Sequence, residues 1–175
     1  MLNIRCVART LTVVVVSAAA LCLGAAAASA EDRLGGHFGV LFPLVTHTNG
    51  DTTSIGDDFK IGFPMGITVK TSDKYAFDLE LVPLLDPRAN APIDVALTVH
   101  PGILRSLGNS WTAGLRMAFD IGGASWGFTP LINKGFPMDG HLYFVELVVP
   151  IRFQDDIVGN TPGSIGLGVH LGIGF

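Results

Sequence analysis

The sequence predicts an all-β fold: an antiparallel up-and-down transmembrane β-barrel of eight strands, following a cleaved N-terminal segment. Three observations carry that expectation. Beyond residue 35 the dominant hydrophobic period is two, the period of strands. The alternating segments run for about ten to thirteen residues, whereas strands in soluble sheets average five or six and a tilted spanning strand needs nine to eleven. One face of each segment is almost wholly apolar, while the other mixes glycine with ionisable residues.

The first thirty residues read as an export signal. Arg5 and Arg9 precede an apolar run from Leu11 to Ala28, and Ala28-Ser29-Ala30 supplies an A-x-A cleavage site before Glu31. The mature domain is then 31–175, a single-domain length. Cys6 and Cys22 leave with the signal, so no disulfide or thiol chemistry is expected. Removing Arg5 and Arg9 leaves nine basic against fifteen acidic side chains, a net charge of −6 that disfavours nucleic acid as a partner. No later apolar run is long enough for a spanning helix.

The strands follow in order. The first is the least regular, with Phe38, Val40, Phe42 and Leu44 against His37, Gly39, Leu41 and Pro43. Phe59 to Val69 alternates apolar residues with Lys60, Gly62, Pro64, Gly66 and Thr68. Tyr75, Phe77, Leu79 and Leu81 oppose Ala76, Asp78 and Glu80. Val95, Leu97, Val99 and Ile103 oppose Thr98, His100 and Gly102. Trp111, Ala113, Leu115, Met117 and Phe119 oppose Thr112, Gly114, Arg116, Ala118 and Asp120. Tyr143 to Phe153 places Glu146 and Arg152 opposite its apolar face. The last strand is the most regular: Ile165, Leu167, Val169, Leu171, Ile173 and Phe175 oppose Ser164, Gly166, Gly168, His170, Gly172 and Gly174. These are seven strands, and closure with both termini on one side requires an even number. A short, degenerate strand is therefore placed around Ser125 to Asn133. Tight turns are expected at Thr71–Lys74, Ser106–Ser110 and Lys134–Gly140. Longer polar loops are expected at His47–Asp58, Leu85–Asp94, Gly122–Ala124 and Gln154–Gly163. Pro43, Pro64, Pro83, Pro101 and Pro150 fall in or near strands and call for bulges or ladder gaps.

A soluble barrel would bury the apolar face and expose a glycine stripe with little to solvate. A membrane barrel turns the apolar face to lipid and fills a narrow lumen with small or charged residues. Phe38, Tyr75, Trp111, Tyr143 and Phe175 then form a lipid-interface girdle at the periplasmic strand ends, with Phe59, Phe119 and Phe153 at the other. Glu80, His100, Arg116, Glu146 and His170 share one depth on five strands and form a lumen polar network in which Arg116 pairs with Glu80 and Glu146.

Tyr143–Phe153 resembles the aromatic–Leu–Glu–x–Pro strand of small bacterial outer-membrane β-barrel domain proteins. The alternating strand ending in Phe175 resembles the C-terminal signature read by the barrel-assembly machinery. The resemblance implies an outer-membrane location, lipid and lipopolysaccharide as surroundings, assembly through the strand ending at Phe175, and no assigned catalysis. No His is followed two residues later by Ser, as in lipid A deacylases, and no H-E-x-x-H motif occurs. No catalytic residue, metal site or cofactor is expected, and Asp57-Asp58 and Asp155-Asp156 read as solvated loop charges. The functional expectation is a structural or interaction barrel with a filled lumen. The alternatives are a narrow pore for small solutes or hydrophobic compounds, and a soluble periplasmic lipocalin-like barrel.

Overall fold

A computed structural model of the chain describes residues 33–87, 92–121, 125–154 and 163–175. The expected export segment 1–30 and the parts of the expected loops at 88–91, 122–124 and 155–162 lie outside them. Eight strands form one antiparallel sheet. They are β1 (Leu34–Thr48), β2 (Asp51–Ser54, Ile61–Gly62 and Met65–Lys70), β3 (Tyr75–Asp86), β4 (Asp94–Gly108), β5 (Trp111–Ile121), β6 (Ser125–Met138), β7 (His141–Val148 and Ile151–Gln154) and β8 (Ser164–Gly174). Each pairs with the next in sequence. β8 then pairs back onto β1 from His37↔Gly174 to Thr48↔Ser164, which closes the barrel and removes the sheet edges.

The alternation orients the wall. Leu167 and Leu171 are 38% and 44% exposed, while His170 between them is 1% exposed. The same holds for exposed Phe77, Leu79 and Leu81 against buried Asp78, Glu80 and Val82, and for exposed Leu115 and Met117 against buried Arg116 and Ala118. The outer surface is therefore the apolar face and the interior is largely polar, the polarity of a membrane-spanning barrel and the inverse of a soluble one.

Two expectations about the chain path are corrected. β6 is a full 14-residue strand from Ser125 to Met138, not a short piece ending at Asn133. Its pattern is obscured because Pro130 occupies a position of the outward row and Leu131 points inward and is buried. The stretch His47–Asp58 is not a long loop. β1 and Asp51–Ser54 continue as a hairpin, and Asn49-Gly50 turns the chain with φ of 60° and 89°. Such a two-residue turn needs positive φ at both positions, which Asn-Gly supplies. Asp139-Gly140 does the same between β6 and β7, with φ of 50° and 80°.

The prolines interrupt the ladder without opening it. β1 shifts register between Pro43 and Val45, Pro64 separates two segments of β2, and Pro150 separates the two segments of β7. Pro83 stays in register opposite Leu97. β4 and β5 pair at Val99↔Phe119 and again at Gly102↔Arg116, with a gap spanning Pro101. A proline lacks only the donor. Its carbonyl still accepts: Gly39 N–H bonds Pro64 O at 2.9 Å, Phe63 N–H bonds Pro83 O at 2.9 Å, and Gly166 N–H bonds Pro150 O at 2.8 Å.

Candidate functional site: the lumen network

Strand pairing fixes which side chains meet at mid-height. His37 on β1 lies opposite Gly66 on β2, Gly66 opposite Glu80 on β3, and Glu80 opposite His100 on β4. Glu146 on β7 lies opposite Asn133 on β6 and His170 on β8. Each points inward because it falls on the polar parity of its strand.

Glu80 stands near the middle. His37 Nε2 is 3.1 Å from its Oε1, and His100 Nδ1 is 3.0 Å from its Oε2. Arg116, 2% exposed, holds three carboxylates. Its Nε donates to Asp78 Oδ2 at 2.8 Å and its Nη1 to Glu146 Oε1 at 2.8 Å, with Nη1 also 3.3 Å from Glu80 Oε2. Thr68 on β2 donates to Asp78 at 2.7 Å, Asn133 Nδ2 to Glu146 Oε2 at 3.4 Å, and His170 Nδ1 to Glu146 Oε1 at 3.3 Å. One connected network thus holds a residue from every strand. A buried charge is tolerated only when paired and hydrogen-bonded, and the carboxylates meet that condition through Arg116 and the histidines.

A second set of contacts reaches from this network toward the loop end. Arg152 on β7 donates through Nη2 to His100 Nε2 at 3.2 Å and through Nη1 to Thr129 Oγ1 at 3.2 Å. Its Nε lies 3.8 Å from Asp120 Oδ2. Arginine has no acceptor, so His100 accepts at Nε2 and donates from Nδ1 to Glu80. Asp120 also accepts from Thr98 and Ser125. Toward the turn end, Phe144 packs edge-on against His170 with ring centroids 4.8 Å apart. His170 Nε2 is buried there without a hydrogen-bond partner.

Glycines make the room. A Cβ on Gly66 would lie 2.3 Å from the His37 ring, and one on Gly39 would lie 2.4 Å from His170 Nε2. On Gly102 it would lie 2.6 Å from Arg116 Cγ and 2.8 Å from the Leu115 carbonyl. The inward face is glycine-rich because long polar side chains from other strands lie across it.

Glu80, His100, Arg116, Glu146 and His170 all face the lumen within this one network. Sequence reasoning left out Thr68 and Asn133 and four ionisable members or neighbours: His37, Asp78, Asp120 and Arg152. Asp78 carried a signal, since it shares the inward face of β3 two residues from Glu80. His37 sat on the irregular first strand. Arg152 and Asp120 stand one layer nearer the loop end, and only the length of the Arg152 side chain brings them in.

Ligand atoms of Glu80, Glu146 and His170 lie within 4.8 Å of one another, a spacing that a metal ion could bridge. Arg116 already donates to Glu146 and lies against Glu80, so the cation of this site is a guanidinium. The arrangement fits an ion-pair core better than metal ligation.

On the outer wall, Phe38, Tyr75, Trp111, Tyr143 and Phe175 are all exposed. Lys134 Nζ lies 5.2 Å from the Trp111 ring centroid. At the loop end Trp126 packs against Phe153 at 5.1 Å and Phe128 at 5.9 Å, a cluster hidden from sequence reasoning along with β6.

No family model and no curated protein matches the chain. Among solved structures it is similar to the outer membrane protein OprG from Pseudomonas aeruginosa, with 10% identity, a TM-score of 0.42, and 81% of this chain and 94% of that chain covered. The barrel fold itself rests on the closed ladder from β1 round to β8.

Proposed function

We propose that the chain is an outer-membrane barrel of structural or interaction type, with a lumen filled by its own polar network. The observation that carries this is the bonding of all eight strands through Arg116, Asp78, Glu80 and Glu146, with these four side chains buried. An open channel needs a hydrated axis, whereas here a guanidinium and its carboxylates occupy it. The apolar outer wall supports lipid and lipopolysaccharide as surroundings. The terminal strand supports recognition by the assembly machinery through Phe175. The residue is 80% exposed, while its backbone is fixed to Gly36 by bonds of 2.8 and 3.0 Å.

Cell fractionation with heat-modifiable gel mobility tests location and closure together, with the expected result a detergent-requiring, heat-shifted band in the outer membrane. Planar-bilayer recording then separates the filled barrel from the pore. The filled barrel gives no regular openings, and reproducible unitary steps would replace this reading with the pore.

A further inference from the structure

The described charges divide between the two ends of the barrel. Arg33, Lys70, Lys74, Arg105 and Lys134 lie at the turn end with Asp73 and Asp139, whereas the loop end is dominated by aspartates. Two of the cations stand on the outer wall itself. Arg105 lies between exposed Ile103 and Leu107 on β4, and Lys134 between exposed Ile132 and Phe136 on β6. No acidic side chain among the described residues pairs with either.

The ladder places them on either side of Ala113. Arg105 lies opposite Tyr75 on one side and Ala113 on the other, and Lys134 lies opposite Trp111. Ala113 is the one small residue in the outward row Trp111, Ala113, Leu115, Met117, Phe119. Arg105 and Lys134 flank it from strands about 10 Å apart, twice the strand spacing. Lys134 sits over the Trp111 ring and donates to Asn109 O at 2.6 Å, which holds its charge at the wall.

We propose that this patch of the outer wall, formed by Arg105 and Lys134 with Trp111 and Tyr75 beside them, binds the phosphodiester of an anionic phospholipid in the leaflet at the turn end. The inference rests on the membrane-barrel reading above. Two cations without acidic partners answer a phosphodiester, and aromatic rings beside them suit the depth at which acyl chain meets headgroup. A free anion in water would gain nothing from the surrounding Ile103, Leu115 and Tyr75.

The two tryptophans lie at opposite ends, which makes a direct test available. Trp126→Phe leaves Trp111 as the sole emitter and is carried in every protein compared. The barrel is refolded into phosphatidylcholine vesicles holding a minor fraction of either brominated phosphatidylglycerol or brominated phosphatidylcholine. The site predicts stronger quenching of Trp111 by the phosphatidylglycerol, with a local enrichment of about fivefold for each cation. Arg105→Gln touches no described partner and is expected to reduce that enrichment about fivefold. Arg105→Gln with Lys134→Gln is expected to bring the two lipids to parity with heat-modifiable mobility retained. Equal quenching in the parent, or a preference that survives both substitutions, overturns the lipid site while leaving the membrane barrel standing. Failure to incorporate into vesicles of any composition overturns the barrel reading and the site with it.

Discussion

Replacing Arg116 with Met keeps most of the side-chain volume and removes the charge. Three carboxylates lose a partner at once: Asp78 at 2.8 Å, Glu146 at 2.8 Å and Glu80 at 3.3 Å. Their residual partners are neutral donors and histidines. Thr68 stays on Asp78, His37 and His100 on Glu80, and Asn133 and His170 on Glu146. Breaking a buried pair by deleting one member costs about 3–5 kcal/mol, because the remaining charge stays desolvated. Arg116 and all three acids are buried, so no discount for solvent screening applies. The assay is urea unfolding of the refolded barrel in detergent or lipid, read by loss of heat-modifiable mobility. Arg116→Met is expected to lower the unfolding free energy by several kcal/mol. Adding Glu146→Gln should restore part of it, since it removes one unpaired charge and keeps a hydrogen-bonding amide beside His170 and Asn133. An Arg116→Met protein as stable as the parent would refute the idea that the guanidinium holds the core together. So would an additive, unrescued double variant.

Three further outcomes follow from the same geometry. Gly102→Ala drives a methyl against the Leu115 carbonyl and Arg116 Cγ, and should cost about 1–3 kcal/mol in the same urea assay; an unchanged midpoint would show that β4 and β5 can part there. Phe175→Ala should leave in vitro stability nearly unchanged, because the residue is mostly exposed, yet lower the amount of barrel assembled in cells; equal effects in both would remove the assembly role. Asp57 accepts from the Ser54 hydroxyl and backbone N–H, which lowers its carboxyl below the ordinary aspartate value of 3.8. The support it gives the turn is therefore present above the ordinary aspartate range and lost as pH falls through the lowered value. Carboxyl NMR should find that low midpoint and see it rise in Ser54→Ala.

The sequence made the fold legible where one period ran uninterrupted. β8 alternates without a break, so both its lipid face and His170 could be read directly. β6 could not: Pro130 breaks its outward row, and Leu131 puts a large apolar side chain on the inward parity. The site was legible in depth but not in azimuth. Counting residues along each strand brought Glu80, His100, Arg116, Glu146 and His170 to one level. It could not say which acids the guanidinium would choose, because that depends on how side chains cross a lumen with no layer of its own. Arg116 reaches Asp78 as closely as Glu146, and the room for it comes from Gly102 on the intervening strand.

That crossing has a mechanical meaning. Glu80 on β3 bonds His37 on β1 across β2, which Pro64 divides. Arg116 on β5 bonds Asp78 on β3 across β4, where the ladder gap at Pro101 falls. Arg116 also bonds Glu146 on β7 across β6, which carries Pro130. A barrel held only by its ladders would be weakest at the strands whose donors are missing. Here the interior ties the flanking strands to each other directly, so a weak rung in the wall is spanned by a charge-assisted bond through the axis. The same bonds place charged side chains across the axis, so under the proposed filled-barrel reading wall integrity and lumen filling are one property.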